Sequence, residues 1–599
     1  MHGKQYRWKH LYKCLQNAKD AEDDSKEKEI LAIIQREKDR SFWRRINYVM
    51  GKARNGSVRR VLVENDAEGT LTEFITKEAV EEAIFNNIHR MRFYLAEAAP
   101  ACNGRLRGLF GYNAATVTAE RILNGTYDYP DDFDQATRDI CEECAIIRLK
   151  VPKDSMNLTI TSNDWVRQWK GRREATSSSE SGLHFGHYIA GCTSEQIAHL
   201  HALKSTLVIN NGVVMERWAR GLSVMLKKLF GCALITKLRS ILLMEADFNA
   251  TNKIVYGDRM LHNVRKYKLM PEEIYSEKNR LADDGTLVKV LFYDIVRQTR
   301  LPAGISAVDA DNCYDRIAHP IASLAFQALG VKKEACESIF TTIQNMNFFL
   351  RTGYGDSTEF ASATGDIKTQ GMCQGNGAAP AAWTVDSIAM INAHKRKGHG
   401  IHLRSPITNK TIHLAGTLFV DDTDVEHLNM NKSETREDTH RALQESIINW
   451  GNLLNATGGA LKPPKCFYHI ISFSWKPDGD WKYDENENSQ ALEILVPLAD
   501  GTLAPIDHLP LSTPTKTLGQ MTCPTGCSKG ALLQMKEKAQ KWIDKAREGR
   551  LHRRNFWFLL DKQFWPGVAF GISSITASFD DLDKCMMKTY YDMLPLGGV

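Results

Sequence analysis

The sequence predicts an α+β protein, and three patterns carry that reading. Before residue 300, apolar residues recur near a 3.6 period over long stretches, as amphipathic helices require. From residue 300 onward, short apolar β runs alternate with helical stretches. A basic segment at 529–554 returns to helical spacing. The chain has 599 residues, 43% hydrophobic and 25% charged, an ordinary globular composition that is long enough to bury a sizeable core. Disorder, collagen and low-complexity readings are excluded for the bulk of it. No uncharged apolar run reaches the roughly 18 residues that a membrane span needs, so no membrane partner is expected. The start, MHGKQYRWKHLYK, has no apolar core and does not read as a secretory signal. Thirteen scattered cysteines, an odd number, read as reduced thiols. The expected location is intracellular, nuclear or cytoplasmic, and not secreted.

The elements follow in order. Residues 1–60 hold sixteen Lys and Arg against eight Asp and Glu. Within them EKEILAIIQREKDRSFWRRINYVM sets Ile30, Ile33, Ile34, Phe42, Ile46 and Val49 on one helical face. Residues 57–75 read as a hairpin turning at Asn65-Asp66-Ala67-Glu68-Gly69. Helix is expected over 77–98, mixed structure over 100–182 with a polar loop at 171–182, and helix again over 194–230 and 246–269. Cys141 and Cys144 form a CxxC, and Cys523 and Cys527 a second close pair, but neither has a partner pair at zinc-ligand spacing. The tract at 529–554 has nine Lys and Arg against three acids. There Met535, Ala539, Trp542 and Ala546 form an apolar face, leaving Lys536, Lys541, Lys545 and Arg553 for phosphates. The net charge of +5 therefore hides two basic ends.

Two acidic sites carry the chemistry. In GISAVDADNCYDRIAHP, Ile305, Ala307 and Val308 predict a strand that ends on Asp309, with a helix over Ala318 to Leu329. An acid at a buried strand end is costly unless it meets a cation. In HLAGTLFVDDTDVEHL, a strand from Leu414 to Val420 runs into Asp421 and Asp422 at a hairpin tip. A lone Asp-Asp is more often a β-turn device. Two such sites together can clamp a pair of divalent ions about 3.5–4 Å apart for in-line phosphoryl transfer.

At these residues the chain resembles reverse transcriptases, most closely those of non-LTR retrotransposons. AVDADNCYDRI is similar to the family's first palm motif, with Asp309, Tyr314 and Asp315 in its pattern. FVDD at 419–422 is similar to the catalytic hairpin. QGMCQGNGAAPAAW is similar to a QGDPLSP-type motif through Gln374, Gly375 and Pro380, and departs from it at Asn376, Gly377, Ala378 and Ala379. TGGALKPPKC resembles the Gly-containing loop that leads to a Lys, here Lys465. Thr517-Leu518-Gly519 resembles the turn that grips a primer end, and VMLKKLFGCALITKLRSILLMEADFNATNK resembles the fingers motifs, with Lys228 and Arg239 at its basic positions. The likeness is firm over about 220–525 and weak over 40–100.

The resemblance implies a right-hand polymerase: an N-terminal helical extension or linker over 1–160, fingers over 161–300, a ferredoxin-like antiparallel palm with fingers elements over 301–525, and a helical thumb over 526–599. It implies RNA-directed DNA synthesis from dNTPs on an RNA template with a DNA primer, or on an RNA–DNA hybrid. Two Mg²⁺ ions, with Mn²⁺ as a substitute, would be held by Asp309 and Asp421, with Asp422 supporting them or acting as an outer ligand. Lys228 and Arg239 would hold the triphosphate, Tyr314 would exclude a 2′-hydroxyl, Gln374 and Gly375 would position nucleotide and template, and Lys465 would serve the leaving pyrophosphate. The alternative is a catalytically silent, domesticated relative that only binds RNA or DNA. Lacking any recognisable endonuclease, integrase, RNase H or zinc knuckle, the chain is expected to be a fragment or decayed copy of a longer element.

Overall fold

A computed structural model describes residues 2–49, 58–65, 70–89, 95–174, 176, 179–229, 231–363, 366, 368–430, 433–484, 493–549 and 551–598. Its packing divides the chain into two compact units, 55–527 and the pair 1–54 with 528–599. It is a mixed α and β structure with several sheets.

The larger unit begins with an antiparallel hairpin of β1 (Val61–Asn65) and β2 (Thr70–Phe74). The turn residues 66–69 lie outside the described residues. A helix over Lys77–Ile84 follows, started by Thr76, whose side chain accepts the Ala79 N–H. The stretch expected to be helical to 98 instead changes to a π-turn over Phe85–His89 and a 3₁₀ turn over Leu95–Ala98, and 90–94 lie outside the described residues.

The helix expected over 194–230 exists only over Glu195–Asn210. Gly212, at φ +63°, follows its end, and Arg220–Lys227 form strand β3 instead. The run GLSVML is apolar but for Ser223, as a strand covered on both faces can be, and so carries no clear period that separates strand from helix. Its pairing decides the matter: β3 lies between antiparallel β4 (Leu238–Leu243) and a later, parallel strand from beyond residue 340.

The main sheet is built on β5 (Ala303–Asp309). After it, β6 (Asn347–Thr352) and β7 (Gly355–Ala361) complete a four-stranded sheet of order β4-β3-β6-β7. Next come β8 (Ile401–Arg404), β9 (Thr411–Leu414), β10 (Gly416–Phe419), β11 (Asp422–Asn429) and β12 (Phe467–Ile471). The small hairpin of β13 (Phe473–Trp475) and β14 (Trp481–Tyr483) precedes β15 (Ile494–Pro497) and β16 (Leu503–His508). Last come β17 (Thr515–Thr517) and β18 (Gln520–Thr522), a two-stranded hairpin. The main sheet runs β15-β16-β12-β5-β11-β8-β9, with β10 also paired to β11. One face of β5 and β11 packs on the helix Arg436–Ala456, where Leu443 fills the space that Gly304 leaves open. The other face lies under the helix Ala282–Thr299, whose Phe292, Tyr293 and Val296 cluster with Ile305, Leu428 and Ile471.

In the smaller unit, helices His2–Asp20 and Asp24–Val49 pair through Leu11, Leu15, Ala18, Ile30 and Ile34. The side chains of Phe42, Ile46 and Val49 lie outside the described residues. The helix Lys529–Glu548 buries Met535, Ala539, Ile543 and Ala546, with Trp542 at their edge, against Phe556, Phe564, Met586 and Met593. The face read from its spacing is thus the one that packs. Among the described residues, no helix is long and apolar enough to cross a membrane.

Candidate active site

Strand alternation builds the site. β5 ends on Asp309 and β11 begins on Asp422, and the antiparallel register sets these two Cα atoms opposite one another. Opposed residues in such a pair lie about 4.5–5.5 Å apart at Cα. The period of two then puts Asp424 and Glu426 on the same face as Asp422. β10 and β11 are joined by Val420 and Asp421 alone. Val420 sits at φ +60°, a conformation that a β-branched side chain adopts only under strain. Trp383, buried on the helix Ala379–Arg396, holds that turn by donating its indole N–H to the Val420 carbonyl at 2.6 Å. Trp383→Phe, which keeps an aromatic ring but loses the donor and some buried volume, should cost about 1–2 kcal/mol or more in urea denaturation. An unchanged midpoint would mean that the bond holds nothing.

Lys465 donates to Asp309 Oδ2 at 2.8 Å. Its loop is zipped onto the end of β5: the Asp311 N–H donates to the Ala460 carbonyl at 2.8 Å, and the Lys462 N–H to the Asp309 carbonyl at 2.9 Å. Gly458 is required there, because at φ +97° an added Cβ would stand 2.1 Å from the Arg316 carbonyl. Lys462 also pairs with Asp311 at 3.0 Å.

The three carboxylates feel one another. Burial pushes Asp421 up, Asp309 adds to the shift, and Lys465 and Arg239 oppose it. Burial also pushes Asp422, exposed along one side, up to about 6, with Asp421, Asp309 and Asp424 adding repulsion. Arg239, exposed on β4, thus lies within electrostatic reach of the hairpin tip. Lys228 stands at the turn end of the β3–β4 pair, its N–H on the Lys237 carbonyl. Tyr314 follows β5 in a short turn, and its carbonyl accepts the Met372 N–H at 2.7 Å. Its phenol, half-buried, is pushed up by burial first, with Cys313 and Asp421 beside it adding to the shift.

The glycine-rich loop has a structural account. The Gln374 carbonyl accepts the Leu242 N–H of β4 at 2.8 Å, and a Cβ on Gly375, at φ +116°, would meet the Leu242 carbonyl at 2.5 Å. The Gly377 N–H donates to Asn249 Oδ1 at 2.6 Å, and Asn249 Nδ2 to the Gly375 carbonyl at 2.9 Å. The close approach that Gly375 permits is therefore to the Leu242 backbone, and that of Gly377 is first to the Lys253 and Asn249 side chains. Pro380 sits in the first turn of the helix Ala379–Arg396.

A cavity of about 120 Å³ adjoins the carboxylates, lined among others by Asp309, Asp422, Asp424, Lys465, Lys516 and Leu518. Leu518, at φ +48°, and Gly519, at φ +94°, form the tight turn of the β17–β18 hairpin. Residue-level reading missed three contributors: Trp383, Asp424 and Lys289, whose ammonium pairs with Asp424 at 2.8 Å. Only Asp424 left a signal, the alternation in DDTDVE.

The donor chemistry fits a hard divalent ion. All three candidate ligands offer carboxylate oxygens, and the two with raised pKa values gain most from a nearby cation. Among the described residues, no three His, Cys, Asp or Glu side chains already stand close enough together to hold an ion. Lys465 supplies the direct counter-charge on Asp309. Cys141 and Cys144 are buried free thiols on the helix Gln135–Lys150. Neither a protein-family model nor a curated protein matches the chain.

Proposed function

We propose that the chain is an RNA-directed DNA polymerase of the reverse-transcriptase type, adding dNTPs to a primer 3′-hydroxyl on an RNA template. The observation that carries this reading is the register that sets Asp309 opposite Asp422, beside a strained tip bearing Asp421. On this reading the main sheet is the palm, the β4-β3-β6-β7 sheet belongs to the fingers, and the helix Lys529–Glu548 belongs to the thumb.

Two Mg²⁺ ions, or Mn²⁺ in their place, held by Asp309 and Asp421 with Asp422 as support, would activate the attacking hydroxyl and neutralise the leaving pyrophosphate. Arg239 and Lys228 bind the triphosphate, the first through its forked guanidinium and the second as a point charge. Tyr314 packs under the incoming sugar and excludes a 2′-hydroxyl. Gln374 and Gly375 position nucleotide and template. Lys465 rests on Asp309 in the free protein and either gives a proton to the departing pyrophosphate oxygen or, staying charged, neutralises it.

The test is Mg²⁺-dependent dNTP incorporation by the purified chain on a primed RNA template, beside an Asp421→Ala, Asp422→Ala control. The chain should incorporate and the control should not. Incorporation no greater than the control's, with nucleic-acid binding intact, sinks the enzyme and leaves a silent binding protein.

A further inference from the structure

A second cavity, of about 300 Å³, opens where the helix Gln135–Lys150 begins, between the Gly458–Gly459 loop and the helix Arg436–Ala456. Arg316 lines it with a side chain only 9% exposed, and among the described residues neither its Nε nor its Nη1 has a hydrogen-bond partner. The Asp311 carboxylate stands 3.8 Å from Nε, too far for a hydrogen bond, and is already paired with Lys462 at 3.0 Å. Burial pushes the guanidinium below its usual range, with Asp311 opposing. An arginine cannot escape such a site by losing its proton, so it needs an anion.

Further donors face the same space. Asp134 caps the helix by accepting the Thr137 N–H at 2.7 Å on its side chain and the Arg138 N–H at 2.9 Å on its carbonyl. The N–H groups of Gln135 and Ala136, both lining residues, have no acceptor within the helix. Its 16 residues add partial positive charge at that end. Asp134 is the one acidic lining residue, and its cap bond holds it to the helix. Another lining residue, Asn455, gives its Nδ2 to the Leu498 carbonyl at 3.1 Å and leaves a buried Oδ1 without a partner among the described residues. The ligand that suits Arg316, the helix N–H groups and Asn455 together is an anion that also brings a donor. Sulfate and carboxylates lack the donor, and a phosphate that keeps a proton has it.

We propose that this cavity binds a small phosphate, inorganic or the terminal group of a phosphomonoester, with oxygens on Arg316 and the helix N-terminus and its P–O–H on Asn455. The site is independent of the polymerase reading.

Calorimetric titration and thermal melting of the full chain, with EDTA present so that the carboxylate site holds no divalent ion, test it. Inorganic phosphate and glycerol phosphate are the two ligand arms, and sulfate is the control. Saturable one-to-one binding of either phosphate, with a raised melting temperature and clearly weaker binding of sulfate, is expected, and the stronger arm names the source. Arg316→Met should weaken binding by about tenfold or more. It should melt no lower than wild type without phosphate, because it removes a buried charge whose one carboxylate neighbour, Asp311, keeps its own partner in Lys462. Asn452→Asp, on the exposed rim, should also weaken binding without disturbing the core. If Arg316→Met does not fold, Asn452→Asp decides. No saturable phosphate binding, or wild-type affinity in the folded variants, overturns the proposal. Neither result depends on dNTP incorporation.

Discussion

Asp421→Asn should abolish dNTP incorporation, by on the order of 10³-fold or more, and at the same time stabilise the metal-free chain at pH 8. The activity loss follows from the proposed clamp, which works only as a unit. The stability gain follows from the folded protein itself. Burial and Asp309 both disfavour the charged form of Asp421, and Asp422 is pushed up to about 6 by burial and by its neighbours. A carboxyl whose folded pKa lies above its unfolded one binds protons more tightly when folded. Its stabilising contribution is complete below the unfolded pKa of about 4 and disappears as pH rises through the folded value. For Asp422 that window runs from about 4 to about 6. The amide that replaces the Asp421 carboxyl cannot charge, so the variant loses less than wild type across the window. Water reaches the tip, so the gain at pH 8 is only about 1 kcal/mol after screening. Mg²⁺ should raise the wild-type melting temperature at pH 8 and leave the variant's little changed. Melting curves from pH 4.5 to 8, in EDTA and in Mg²⁺, check this. A variant that melts below wild type in EDTA, or keeps a tenth of its activity, contradicts the argument.

Some of this site was legible in the sequence because the signals are local. Ile305 to Val308 is a short apolar run broken only by Ser306 and followed by an acid, and the strand is there. FVDD was readable as a hairpin tip, although the turn consists of Val420 and Asp421, and Asp422 already belongs to β11. The pairing of Asp309 with Asp422 was not readable, because more than a hundred residues separate them and only sheet register joins them. Trp383 was hidden for the same reason: an indole in an alanine-rich helix reads as core, and its bond to Val420 exists only in three dimensions. The misread strand β3 has the same cause. Its fate depends on β4 and on β6, and β6 begins more than a hundred residues later.

Lys289→Met should cost about 3–5 kcal/mol, the largest stability loss expected from any single change near the site. Lys289 is 2% exposed and Asp424 9%, with 2.8 Å between Nζ and Oδ1. Without the ammonium, Asp424 keeps only the Thr417 hydroxyl at 3.2 Å and faces two more carboxyl groups along β11. One is Asp422. The other is Glu426, fully buried, with neither oxygen hydrogen-bonded among the described residues. Burial and Asp424 push Glu426 well above the usual carboxylate range, with Lys289 opposing, and a carboxyl in either form brings no positive charge to replace the ammonium. Sequence spacing gives no warning of this, since a lysine within a helical stretch reads as solvated. Lys289→Met with Asp424→Leu removes both charges and should regain most of the loss, because two apolar side chains can fill the space without desolvating an ion. Urea denaturation of wild type, both single variants and the double variant gives the coupling energy directly. A loss below about 1 kcal/mol for Lys289→Met, or a double variant no better than the single one, would mean that the pair is solvated like an ordinary surface bridge. Incorporation assays on the double variant add a second reading. Asp424 lines the cavity beside Asp309 and Asp422, so a stable but slower enzyme would show that the buried pair also sets the charge next to the carboxylates.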